Sequence, residues 1–159
     1  MIHHLSIPAK NPRQVAEVLA QISQGKFAPF PPHPGSYFVL MLDEYGTAIE
    51  VYPFGTELTP GTGYQDVLFT HNAWGSNYSA THLALSVPIT QEEIEAIAAE
   101  NEWRAVRCNR ENAFDVIEFW VENQFLIELL PPEFAQKYLS FMQPHQIEQF
   151  LAAATVSTP

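Results

Sequence analysis

The sequence predicts an α+β fold of two tandem βαβββ modules followed by a helical C-terminal tail. A His-to-Glu segment pair occurs twice at one fixed offset, an amphipathic helix pattern lies inside each copy, and three short β-rich runs follow each helix. His4-Leu5-Ser6-Ile7 corresponds to His82-Leu83-Ala84-Leu85, and Ile49-Glu50-Val51-Tyr52-Pro53 to Ile127-Glu128-Leu129-Leu130-Pro131. Both pairs are displaced by 78 residues (82 − 4 and 128 − 50), so each His precedes its Glu by 46 (50 − 4 and 128 − 82). A constant offset across separated segments indicates duplication.

The elements follow in order. After the first strand, Asn11-Pro12 supplies a helix N-cap and a proline at the first helical position, and Val15, Val18, Leu19 and Ile22 recur at helical spacing as far as Gly25. Residues 26–30, 37–42 and 47–53 read as strands, separated by the Pro34-Gly35 turn and by Gly46. In the second copy Thr90 and Glu93 form a capping box, and Ile94, Ile97 and Ala98 give the apolar stripe up to Asn101. Residues 104–108, 114–121 and 125–131 are its strands, with Glu122-Asn123-Gln124 as the last turn.

Module one thus spans 1–54 and module two 80–132, in a single domain covering 1–159. The connector, 55–79, is rich in Gly, Thr and Asn and lacks periodicity, which reads as loop. In the tail, 133–159, Phe134, Tyr138 and Phe141, then Ile147, Phe150 and Leu151, predict one or two helices that cover sheet or mediate self-association, with a frayed end from Thr155.

Composition narrows the classes of function. A chain of 159 residues, 47% of them hydrophobic, suffices for one substantial core. Its formal charge of −11, from 7 basic and 18 acidic residues, repels a phosphate backbone, so nucleic acid is not an expected partner. No apolar run approaches the ~20 residues needed to span a bilayer, and residues 1–10 lack a signal-peptide pattern. Cys108 is the single cysteine, which rules out an intramolecular disulfide and fits a reducing compartment. A cytoplasmic protein without a membrane partner is expected.

Strand alternation divides each repeated segment into two faces. Leu5, Ile7, Ile49, Val51, Leu83, Leu85, Ile127 and Leu129 form one apolar face, expected under the helices. His4, Ser6, Ala48, Glu50, His82, Ala84 and Glu128 form the other, where small residues surround four polar ones, leaving a concave surface for a small molecule. One His or one Glu on a strand is ordinarily a hydrogen-bonded or solvated side chain. Two imidazoles and two carboxylates at a repeated spacing instead suit a divalent Zn, Ni, Fe, Mn or Co ion. His3 is assigned to the opposite side, and His33, His71 and His145 to exposed, non-ligating positions. Gly61-Thr62-Gly63 reads as a plain turn. Cys108 reads as a buried structural thiol, and Phe119, Trp120 and Tyr52 are compatible with pocket or core.

These strands resemble the vicinal oxygen chelate superfamily, which includes glyoxalases, bleomycin-resistance proteins and extradiol dioxygenases. Thr81 to Val87 and Phe125 to Leu129 are similar to the opening and closing strands of the second module of glyoxalase I, and Ile2 to Ile7 and Ala48 to Val51 to those of the first. The resemblance covers about residues 2–132. It implies an incomplete barrel, a metal held by His4, Glu50, His82 and Glu128, and proton transfer by Glu128 or Glu50. It implies a lyase, isomerase or epimerase acting on vicinal oxygens, or alternatively a metal-free protein that sequesters an antibiotic-type small molecule. Iron dioxygenase chemistry fits less well, since such sites use two His and one carboxylate and here a fourth ligand is present. Pairing of the modules within one chain and across a homodimer both satisfy the pattern.

Overall fold

The structure, a computed structural model, describes residues 3–43, 46–59, 62, 68–75, 81–110, 112–146 and 149. Module one contains β1 (His4–Ala9), α1 (Pro12–Ser23), β2 (Lys26–Pro29), β3 (Tyr37–Leu40) and β4 (Ala48–Pro53). The connector adds β5 (Thr56–Thr59) and β6 (Leu68–His71). Module two contains β7 (Leu83–Ser86), α2 (Gln91–Glu100), β8 (Arg104–Arg110), β9 (Phe114–Val121) and β10 (Phe125–Leu130), and the tail begins with α3 (Pro132–Phe141).

Duplication extends to topology and register. The sheets are ordered β1-β4-β3-β2 and β7-β10-β9-β8, each with its first strand parallel to its last and the other pairs antiparallel. Ser6 lies opposite Glu50, and Ala84 opposite Glu128. A one-residue slip in either sheet would move every core side chain to solvent, so the buried face pins this register. Of the expected apolar face, Ile7, Ile49, Val51, Ile127 and Leu129 are each at most 1% exposed and lie in the core with Phe119, while Leu5, Leu83 and Leu85 are half-buried against it. Val15, Leu19 and Ile22 of α1 and Ile94 of α2 close over it.

The helix starts follow their sequence signals. Asn11 Oδ1 accepts from the Gln14 amide at 3.3 Å. In α2 the Thr90 amide donates to Glu93 Oε2 at 2.8 Å, and the Glu93 amide donates to Thr90 Oγ at 3.3 Å. Thr90→Ala is therefore expected to lower stability by about 1 kcal/mol, read as a reduced urea midpoint at unchanged m-value.

The three-residue turn Glu122-Asn123-Gln124, which joins the paired Val121 and Phe125, is left-handed at its first two residues, with φ of 51° and 56°. A glutamate is an unusual occupant, and its side chain accounts for it. The Glu122 carboxylate accepts from the Lys10 and Asn11 amides at 2.6 and 2.7 Å. Gln14 also donates to Asn101 Oδ1 at 3.2 Å. The second module's last turn is thereby fastened to the strand–helix junction of the first.

The connector differs from expectation. Residues predicted as loop form the hairpin β5–β6, with Leu58 opposite Phe69 and Thr56 opposite His71. Its sequence alternates weakly, and its apolar anchor, Phe69, rests on side chains of module one. Tertiary contact therefore stabilises it where propensity does not. Gly55 permits the entry to this hairpin: its φ is +87°, and a Cβ there would lie 2.6 Å from the Asn72 carbonyl oxygen. The helical tail is observed as α3, and Phe114 packs against Tyr138 and Phe141. The second stretch of the predicted tail, with Ile147, Phe150 and Leu151, lies outside the described residues, as does the frayed end.

Candidate functional site

Module one contributes a cavity of about 230 Å³ on the open face of its sheet, lined chiefly by His4, Phe30, Phe38, Leu40, Ala48 and Glu50. Alternation brings these groups together. His4 pairs with Ala48, which pairs with Leu40, while Ser6 pairs with Glu50, which pairs with Phe38. The first His–Glu pair of the repeat therefore borders one space. Glu50 Oε2 accepts from the Ser6 hydroxyl and the Tyr52 phenol, both at 3.0 Å. Tyr52 is 4% exposed, and burial, together with its bond to Glu50, pushes its pKa up to about 12. It therefore stays a neutral donor throughout the physiological range.

Tyr52 also anchors an aromatic cluster beside the cavity. Its ring stacks on Phe69 at 5.7 Å and meets Phe30 and His33 edge-on at 5.9 and 5.3 Å. His33, expected to be exposed, is half-buried here, because Ser36 Oγ lies 2.8 Å from its Nδ1 and Phe69 lies 4.7 Å from its ring. Nothing in local sequence signals this: the connector hairpin supplies the covering ring. Tyr52 is thus assigned to the open face beside Glu50, Phe119 to the core and Trp120 to the open face of the second sheet.

In module two, Glu128 lies opposite Ala84 on one side and Glu118 on the other. Arg110 Nη2 donates to both carboxylates, at 2.9 Å to Glu118 and in a still shorter contact to Glu128. The two acids, Glu128 first, hold the guanidinium pKa above its usual value, and Arg110 in turn holds Glu118 below the ordinary carboxylate range. Cys108 stands beside them, its thiol pKa raised by burial and by the Glu118 charge, so it is no ready nucleophile. Trp120 Nε1 is buried without a hydrogen-bond partner at ordinary geometry, although its N–H still helps hold Glu118 down. His82 is exposed and immediately precedes β7.

His4 and Glu50 share a cavity, and Glu128 sits in an ion-pair cluster. Among the described residues, no group of three or more His, Cys, Asp and Glu side chains lies close enough to hold one metal ion. A larger cavity, about 420 Å³, lies elsewhere, between the starts of α2 and α3, with Arg107, Glu92 and Glu133 in its wall. It contains none of the four repeat residues. Arg107 there is tied to Asp115 at 3.0 Å, and Asn109 and Arg107 hold Asp115 below its usual pKa. This ion-pair cluster fastens α3 to the helix side of the sheet.

Sequence reasoning missed Glu118 and Arg110. The signal was present for Glu118: the three-residue turn Glu122-Asn123-Gln124 pairs Val121 with Phe125, and counting three positions outward puts Glu118 opposite Glu128. Arg110 is four strand positions beyond Val106, the partner of Glu118, and reaches back by its length alone. No local pattern marks that.

Two four-stranded sheets, each of βαβββ order with a parallel first-to-last pairing, define a glyoxalase-type repeat fold. No family model matches the chain, and no curated protein matches it. Solved structures do. The fosfomycin resistance protein FosX from Listeria monocytogenes, in a monoclinic form, aligns with TM-score 0.55 at 13% identity over 86% of this chain and 94% of that one. The same protein complexed with Mn(II) and sulfate aligns with TM-score 0.51 at 14% identity, over 82% and 88%. A glyoxylase/bleomycin resistance protein/dioxygenase domain from Frankia sp. aligns with TM-score 0.51 at 12% identity, over 81% and 94%. The chain therefore shares the fold of these fosfomycin resistance and glyoxylase/bleomycin resistance/dioxygenase-type structures. No helix among the described residues is long and apolar enough to cross a membrane.

Proposed function

We propose that this chain is a divalent-metal-dependent lyase, isomerase or epimerase acting on a small molecule with vicinal oxygens. The observation that carries the reading is the meeting of His4 and Glu50 at one cavity, at positions that the repeat singles out independently. An imidazole and a carboxylate suit Zn, Ni, Fe, Mn or Co, but two protein donors fall short of the three or four such sites employ. His82 and Glu128 supply the remainder, and since the described residues of one chain form no such group, we infer that they come from a second copy in a homodimer. FosX carrying Mn(II) agrees with a divalent ion on this fold.

When bound, such an ion supplies Lewis acidity that polarises a carbonyl or enediolate oxygen. The chain's own groups do the rest. Ser6 and Tyr52 both donate to Oε2 of Glu50, which orients the carboxylate and leaves Oε1 its lone pairs for a ligand. Glu128, or Glu50, carries the proton between substrate atoms. Glu128 must first leave Arg110, and Glu118 remains as that guanidinium's partner.

One observation favours a second reading. A guanidinium between Glu118 and Glu128 supplies the positive charge that a metal would otherwise bring, as suits a metal-free binding protein. Metal analysis after loading with Mn, Ni or Zn separates the two. The enzyme reading expects about one ion per site, lost in His82→Ala and His4→Ala. A full-length preparation that takes up no ion under any loading condition leaves the binding reading standing.

A further inference from the structure

We propose that the cavity beside His4 and Glu50 is a subsite for an aromatic group without negative charge, and that Phe38 determines this specificity. The inference deepens the small-molecule reading above and rests on it for the location of the cup. The walls are the first argument. Phe30 and Phe38 meet edge-on, with centroids 5.8 Å apart and planes at 89°, and with Leu40 and Ala48 they supply the apolar half of a lining whose other half is polar. An edge-to-face pair of rings beside an open space presents one π face and one positive edge to an incoming ring, the two geometries aromatic groups prefer. A volume of about 230 Å³ suits one ring with a short substituent.

Charge is the second argument. No Lys or Arg is among the described residues lining the cavity, while Glu50 is. Lys26 shares the row of Leu40 on this face but stands exposed on the sheet's outer strand and does not line the space. On the second sheet Arg110 is engaged by two carboxylates. In the metal-free chain an anionic head group would thus meet a carboxylate with no Lys or Arg in the lining to offset it, in a protein of formal charge −11. Without an added ion the arrangement disfavours a phosphonate and accepts a ring. The connector hairpin fixes the outer wall, because Phe69 stacks on Tyr52 and Tyr52 holds Phe30.

Three probes of one shape test this on the full chain without added metal, by NMR titration: benzyl alcohol, cyclohexylmethanol and benzylphosphonate. Benzyl alcohol is expected to bind about threefold to tenfold more tightly than cyclohexylmethanol, the range of an aromatic contact. Benzylphosphonate is expected not to bind. Phe38→Leu, which keeps apolar volume, should erase the preference with the circular dichroism spectrum unchanged, and Phe30→Leu should weaken it in the same direction. Equal binding of the two alcohols, binding of the phosphonate, or a preference that survives Phe38→Leu overturns the subsite. None of these readouts requires a metal, so a preparation that binds metal but shows no ring preference sinks the subsite alone. A ring preference in a chain that never takes up metal sinks the enzyme reading alone.

Discussion

Arg110→Met is expected to lower folding stability at pH 7 by about 2 kcal/mol, and the deficit is expected to shrink as the pH falls toward about 4. Methionine keeps much of the apolar stem and removes the charge. Glu118 and Glu128 then face each other on neighbouring strands with no cation between them. Removing one partner of a fully buried ion pair costs about 3–5 kcal/mol, and a loss below that range is expected because Arg110, Glu118 and Glu128 are 34%, 20% and 15% exposed and partly screened.

The sign of the pH dependence separates charge from packing. In the parent, Glu118 is held below its ordinary pKa, so its contribution is present above the unfolded carboxylate value of about 4.3 and is lost as pH falls through the folded value. In the variant Glu118 loses the cation that held it down and faces the Glu128 charge, which raises its folded pKa. Its stabilising protonated form is then lost as pH rises through that value. Urea midpoints from pH 7 down to about 4.5 should therefore converge for parent and variant. Adding Glu118→Gln to Arg110→Met should recover part of the loss at pH 7, a non-additivity expected only of groups in one cluster. A deficit that is constant with pH would assign Arg110 to packing instead.

The same cluster shows where sequence stops being informative. The duplicated modules were legible because burial enforces period-two alternation on every strand, and the offset of 78 appears again in the register Ser6–Glu50 and Ala84–Glu128. Helix starts were legible because Asn11 and Thr90 satisfy orphan amides by local bonds alone. That His4 and Glu50 share the open face was legible from strand alternation, whereas their nearness was implied only by the resemblance, because alternation does not decide which strands pair. What stayed hidden depends on reach or on distant cover. Arg110 arrives through side-chain length, Tyr52 and His33 become an aromatic cluster only when Phe69 folds over them, and the hairpin carrying Phe69 has no strong propensity of its own. The relation between the two open faces is decided by packing between modules, to which strand periodicity is blind.

That relation is open to a complementation experiment with an all-or-none outcome. One variant, His4→Ala with Glu50→Gln, lacks the module-one pair; another, His82→Ala with Glu128→Gln, lacks the module-two pair. Each alone is expected to hold almost no metal, since only two donors remain per site. If a site is built from module one of one copy and module two of another, unfolding and refolding the two variants together restores intact sites. A mixed dimer then carries one site with all four ligands and one with none. With random pairing, half the dimers are mixed, so the mixture should recover about a quarter of the parent's metal. A site closed within one chain can recover nothing, because every chain lacks half its ligands. The Glu122 contact to the Lys10 and Asn11 amides lies at the strand–helix junction, away from the residues exchanged, so both variants should retain the fold that makes the comparison meaningful. Gln in place of Glu128 also keeps an acceptor for Arg110, which limits the loss of stability in the second variant.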